Sequence, residues 1–176
     1  PELVLSGVLG DVVDQQFMER ALHAARPSIV FHAAAYKHVP LLESQVRQAV
    51  LNNVFGTRSV ANAADRVGVE RFVLISTDKA VNPVNIMGAT KRAAELYCQH
   101  LAAHSKTLFL TVRFGNVLDS AGSVVPLFRE QIRSGGPVTV TDSSMTRFFM
   151  TIPEACQLIL EVGAVGQSAE LYVLDM

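Results

Sequence analysis

Short runs rich in Val, Ile and Phe alternate along this chain with longer stretches of helical periodicity, and that alternation narrows the fold more than any single motif. The runs fall at Glu2–Ser6, Ser28–His32, Phe72–Ser76, Leu108–Phe114 and Leu171–Leu174. Strands separated by helices need crossovers, and crossovers give a parallel sheet. The spacing predicts a helix capped by Asp14, in which Phe17, Ala21 and Ala24 share a face. A long helix follows from Leu42 to Val67 with Gly68 as its stop, then helices near Met87–His104 and Val124–Ser134. From Gly135 to Val162 the rhythm changes, with a GGP turn, a Val-Thr alternation and a TRFFMTI run that passes through Pro153 into a last helix. The expectation is an α/β, Rossmann-like doubly wound parallel sheet over residues 1–134. Residues 135–176 add a small substrate-side lobe and the last strand within the same structural unit.

Bulk properties support one domain: 176 residues, 49% hydrophobic and 18% charged, suit a buried sheet covered by helices. Fifteen basic against sixteen acidic residues give a net charge of −1, and no Lys/Arg run builds the footprint that nucleic acid or an anionic membrane requires. Cys98 and Cys156 lie far apart without companion ligands, which argues against a zinc site or a disulfide framework and for two buried, reduced thiols. His100 and His104 share a helix face, yet with no third ligand nearby they read as exposed residues and not as a metal site. No uncharged apolar run approaches the ~18 residues of a spanning helix, so the chain reads as soluble.

A dinucleotide fold opens with a strand, a Gly-rich turn and a helix, the glycines letting the backbone approach a pyrophosphate. No GxGxxG occurs here, and SGVLGD carries its two glycines at another spacing. The expectation is that a first βαβ unit precedes Pro1, with half of a cofactor site and the strand that would tell NAD from NADP.

Open α/β sheets bind ligands at the carboxyl ends of their strands. Four groups of residues fall there: Asp11, Ala33 to Lys37, Ser76 to Lys79, and Arg113 to Val117, which includes Phe114 and Asn116. Ala33, Ala34 and Ala35 leave room for a flat ring or a ribose, although close packing explains three alanines as well. Thr77, Asp78 and Lys79 follow the buried run RFVLIS directly; they are candidate chemistry, or a helix cap with a surface ion pair. Met87 and Lys91 stand four apart and share a helix face, where a thioether fills space but moves no proton. Arg147 beside an apolar strand fits either a phosphate contact or an edge-strand charge.

The segments GDVVD, VFHAAAYKHVPLLE, NNVFGT, RFVLISTDKAVNPVNIMGATKRAAE, VRFGNVL, GSVVPLFREQI, TRFFMTIPEA and YVLDM together resemble the extended short-chain dehydrogenase/reductase superfamily. Within it, they are similar to the CapD-like nucleotide-sugar 4,6-dehydratases of polysaccharide biosynthesis. The resemblance implies UDP-N-acetylglucosamine as substrate and tightly held NAD or NADP as cofactor. It places Asp11 beside the adenine and Ala33 to Ala35 and Phe114 along the cofactor. Lys37 falls at the phosphates or the substrate, Asn116 and Arg147 at the substrate, Lys91 on the nicotinamide ribose, and Asn53 in a structural role. Met87 occupies the position of the usual catalytic Tyr, as in the long-chain, membrane-anchored members. It further implies a homo-oligomer paired through the two long helices, and a cytoplasmic protein anchored at the inner membrane by N-terminal helices. In this chemistry Thr77 meets the 4-hydroxyl, while Lys79 and Asp78 serve as base and acid only if the lysine is neutral and the carboxyl protonated, an inversion that needs a dry pocket.

Overall fold

Side chains alternate sides along a strand, so each buried strand of a two-faced sheet needs apolar residues at successive positions. In the computed structural model, which describes residues 4–120 and 122–173, β1 (Ile29–His32), β2 (Arg71–Ile75), β3 (Leu108–Arg113) and β6 (Leu171–Val173) form a parallel sheet in the order β1-β2-β3-β6. Phe72 and Leu74 of β2 and Phe109 of β3 pack on one face against α4 (Thr57–Val67) and α5 (Ile86–Ala102), through Val60, Ala61, Ala64, Ala94 and Cys98. Helix α1 (Gln15–Ala25) closes this layer through Met18 and Leu22. Val73, Leu110 and Val112 point the other way and meet Leu158, Ile159 and Val162 of α7 (Ile152–Val165). Helices on both faces make the sheet doubly wound, as expected.

Local chemistry explains most element ends. The Asp14 carboxylate accepts the Phe17 N–H at 2.9 Å to start α1, and Gly68 ends α4 at φ +78°, a left-handed conformation that glycine adopts without strain. Thr151 and Glu154 form a reciprocal capping box at the start of α7, with Pro153 in its first turn.

Three expectations are corrected. Residues 1–3 lie outside the described ones, and 4–6 form no strand. The single helix expected over 42–67 is instead α2 (Val39–Ser44), α3 (Val46–Ala49), a wide π turn (Val50–Gly56) and α4. Pro40 starts the first piece early, and Gln45 at φ −125°, ψ 42° ends it. Cys98 is buried as expected, whereas Cys156 lies exposed on α7.

Beyond β3, β4 (Asn116–Val117) pairs with β5 (Phe149–Met150) in a separate parallel ladder, and α6 (Val124–Arg133) lies between them in sequence. Helix α7 returns beneath the main sheet, so residues 152–165 contribute to the core. No helix among the described residues is long and apolar enough to cross a membrane.

Candidate functional site

The carboxyl ends of β1, β2 and β3 lie on the same side of the sheet because all three run parallel, and their loops enclose a cleft of about 480 Å³. Ala33, Ala35 and Lys37 enter it after β1, Ser76, Thr77 and Lys79 after β2, Phe114 and Asn116 after β3, and Met87 and Lys91 from α5.

Thr77 adopts an extended conformation and caps a single 3-10 turn, Asp78–Ala80. Its hydroxyl donates to Asp78 Oδ1 at 2.8 Å. The Lys79 ammonium donates to the same oxygen at 2.9 Å and to Asn116 Oδ1 at 3.2 Å. Capping and candidate chemistry thus reside in the same three residues. The Asp78 N–H donates to the Phe114 carbonyl at 3.1 Å, which ties the turn to the end of β3.

Helix α5 lies against this turn because of one missing side chain: a Cβ on Gly88 would fall 2.3 Å from the Lys79 carbonyl oxygen. Asn85 caps the helix by accepting the Gly88 N–H at 2.8 Å. Met87 is buried and packs with Leu42 and Ala49. Lys91 is 7% exposed and donates to the Ile75 carbonyl at 2.5 Å. Burial pushes its pKa down to about 8, against an opposing pull from Glu95 and Cys98.

Asn53 holds the loop after β1 to α5. Its amide accepts the Tyr36 N–H at 2.8 Å and donates to the Tyr36 carbonyl and to Thr90 Oγ1, both at 3.0 Å. The π turn gives Asn53 this central position, in keeping with the frequent use of π turns at functional sites. His32, at the end of β1, shares a hydrogen bond of 3.0 Å with Thr57 Oγ1, and burial followed by the charge of Lys91 lowers its pKa to about 4.

Several expected residues stand apart. Ala34 and Asp78 do not line the cleft, the Asp11 carboxylate accepts its own turn's Val13 N–H at 2.9 Å, and Arg147 is exposed, donating to the Thr146 carbonyl and to Met145 Sδ. The dry pocket expected around Asp78 and Lys79 is also absent here. Burial raises the Asp78 pKa, but hydrogen bonds from Lys79 and Thr77 outweigh it and hold the carboxyl below its ordinary value. The side chains of Lys79 and Asp78 remain 30% and 34% exposed, so the pair is an ion pair still reached by water.

One group escaped the reading of the sequence. Glu95, fully buried, accepts from Ser76 Oγ at 2.5 Å and from the Arg113 guanidinium at 2.8 and 2.5 Å. A signal existed: an arginine ending the apolar strand LFLTVRF requires a buried partner. Among the described residues, no cluster of three or more His, Cys, Asp or Glu is arranged to hold a metal.

Residues 2–176 match the model of a family described as "Polysaccharide biosynthesis protein". The chain is 55% identical over 170 residues to the capsular polysaccharide biosynthesis protein CapD of Staphylococcus aureus, covering 96% of this chain and 28% of CapD. It is 38% identical over 168 residues to the UDP-glucose 4-epimerase of Rickettsia canadensis, covering 94% of this chain and 49% of that protein. In structure it is similar to DesIV, a dTDP-glucose 4,6-dehydratase of Streptomyces venezuelae, with a TM-score of 0.87, 23% identity, and 93% of this chain and 56% of that one covered. The chain therefore spans only part of the length of these relatives. With nearly every residue matched by the family model and a doubly wound sheet carrying its cleft at the strand ends, the chain belongs to the polysaccharide biosynthesis protein family, built on the extended short-chain dehydrogenase/reductase fold.

Proposed function

We propose that this chain carries the catalytic face of a nucleotide-sugar 4,6-dehydratase. The substrate would be UDP-N-acetylglucosamine, the product a UDP-4-keto-6-deoxy sugar for capsule, O-antigen or related polysaccharide synthesis, and the cofactor NAD or NADP. The observation that carries this reading is the Asp78–Lys79 pair at 2.9 Å, whose lysine lines the cleft beside Thr77 and Asn116. An acid and a base side by side suit the loss of water across C5 and C6.

The cleft suits a dinucleotide on its own residues. Ala33 and Ala35 present only methyl groups to it, and Lys91 reaches it as a buried ammonium with one of its three N–H groups on the Ile75 carbonyl. DesIV, similar in fold, holds NAD and TYD. When bound, such a cofactor would supply reversible hydride chemistry, from C4 of the sugar and back to C6. Lys91 would hold the ribose, and Thr77 would bind the 4-hydroxyl.

The ion pair stands one proton transfer from the form the reaction requires. Closure around a sugar removes water from the pair, and desolvation favours its neutral form. The proton then passes from Lys79 Nζ to Asp78 along their existing hydrogen bond. Neutral Lys79 takes the C5 proton, protonated Asp78 gives its proton to the departing 6-hydroxyl, and the elimination returns the ion pair; as hydride comes back to C6, the Lys79 ammonium gives a proton to C5, and the proton released from the 4-hydroxyl restores the lysine's charge. Met87 shapes the pocket, and a water near Thr77 and Lys91 accepts the 4-hydroxyl proton.

One comparison favours a second reading, because the Rickettsia relative is a UDP-glucose 4-epimerase. An epimerase has no use for an acid-base pair at C5 and C6, and usually keeps the Tyr that Met87 replaces. The first reading also carries a homo-oligomer paired through the helices of 39–67 and α5, where Val46, Phe55 and Leu96 are exposed. It further carries a cytoplasmic catalytic face on a protein held at the inner membrane by helices outside this chain. Mass spectrometry of UDP-N-acetylglucosamine incubated with the full-length protein tests the activity. Loss of one water is expected; unchanged mass with a new epimer would show an epimerase, and no change a protein that only binds.

A further inference from the structure

Behind the cleft, one buried carboxylate joins three elements. Glu95 stands four residues after Lys91 on α5, one helical turn further along the same face. Its Oε1 accepts from Ser76, which follows β2, at 2.5 Å, and from Arg113 Nε at 2.8 Å, while Oε2 accepts from Arg113 Nη2 at 2.5 Å and from Arg92 at 3.1 Å. Arg113 ends β3 and also donates from Nη2 to the Ala80 carbonyl at 3.5 Å, the last residue of the turn that carries Asp78 and Lys79. The guanidinium is therefore shared between the helix that bears Lys91 and the turn that bears the acid-base pair.

We propose that Glu95 is a positioning residue for the cleft: through Ser76 and Arg113 it fixes the Thr77–Ala80 turn against α5, and with it the placement of Asp78 and Lys79 relative to Lys91. A core of this size could hold the same elements together with apolar side chains, and a buried ion pair is not in itself a gain in stability. What the pair adds is direction, since a two-pronged Arg–carboxylate contact tolerates little rotation or sliding. Glu95 also acts on Lys91 by charge. The groups around Lys91 are Glu95 and Cys98 on its own helix and His32 from β1, while Asp78 and Lys79 occupy the neighbouring turn, and Glu95 holds the ammonium form up against burial.

The proposal rests on the dehydratase reading for its catalytic consequence, but the clamp itself can be read without substrate. In the full-length protein, Glu95→Gln should keep the native far-UV spectrum, while amide exchange at Asp78, Ala80 and Val81 quickens about tenfold or more and exchange in α4 and α7 stays as in the parent. Turnover of UDP-N-acetylglucosamine should fall at least tenfold with KM changed less than threefold. The alkaline limb of the turnover-pH profile should move to lower pH, because Lys91 loses the charge that favours its protonated form. If Glu95→Gln does not fold, Arg113→Lys is the substitute, keeping the charge while losing the two-pronged contact, and the same local exchange and turnover changes are expected. Unchanged exchange at the turn, or a uniform rise everywhere with turnover falling only as folded protein is lost, overturns the proposal. Failure of the parent to dehydrate the sugar, with the local exchange change intact, defeats the dehydratase reading and leaves the clamp standing.

Discussion

At the scale of single residues, the proposed dehydration gives Asp78 and Lys79 different tasks, so that neither would substitute for the other. Asp78→Asn and Lys79→Ala in the full-length protein should each lower dehydration by roughly 10²–10⁴-fold, the usual span for a lost general acid or base. Nucleotide-sugar affinity, read by titration calorimetry, should stay within about threefold because neither residue anchors the nucleotide in this scheme. An Asp78→Asn form that keeps most of its turnover removes Asp78 as the acid. Met87 packs with Leu42 and Ala49, so Met87→Leu, a swap of similar volume, should cost under about 1.5 kcal/mol and preserve most activity. Met87→Tyr should not speed the reaction, because the phenol would displace the water proposed as relay. Turnover against pH for the three forms decides this, and a tenfold gain for the tyrosine form would reject the water relay.

At the scale of elements, the approach of α5 to the 78–80 turn depends on Gly88. An added methyl would fall 2.3 Å from the Lys79 carbonyl, so Gly88→Ala should displace the start of the helix, destabilise the protein by about 1–3 kcal/mol as overpacking does, and depress turnover further than the stability loss explains. Denaturant unfolding and kinetics on the same preparation check both parts. Elements were legible in the sequence where one periodicity decided them. The runs IVFH, RFVLI and LFLTVR are apolar at successive positions because helices cover both sides, and α5 showed its pattern over its whole length. The π turn was not legible, since Asn53 within it is held by bonds to Tyr36 and Thr90, residues 17 and 37 positions away. Thr77 to Lys79, Met87 and Lys91 could be found as polar or displaced groups at a strand end or on one helix face. Glu95 could not be picked out locally: KRAAE reads as an ordinary charged helix face until Arg113 is brought beneath it.

At the scale of the whole molecule, acid should weaken the fold through groups buried behind the cleft. His32 has a folded pKa of about 4 against 6.5 in the open chain, so between these values the unfolded state binds more protons. Stability therefore rises with pH across that window and is lost as pH falls from about 6.5 to about 4. The shift is worth on the order of 3 kcal/mol. Glu95, held below its ordinary pKa by Arg113, Ser76 and Arg92 in spite of burial, adds a loss in the same direction at lower pH, where it becomes protonated. Melting temperature measured from pH 7 to pH 4 should fall, and more shallowly in His32→Gln; equal slopes would remove His32 as a cause. All four strands of the main sheet run parallel, so the rim opposite the cleft is formed, among the described residues, by connections such as 27–28, 68–70 and 103–107. That rim is a natural handle. With Cys156, the exposed thiol, replaced by serine, Lys106→Cys would let the molecule be tethered to a sensor surface from behind, with the mouth of the cleft left open to the solution.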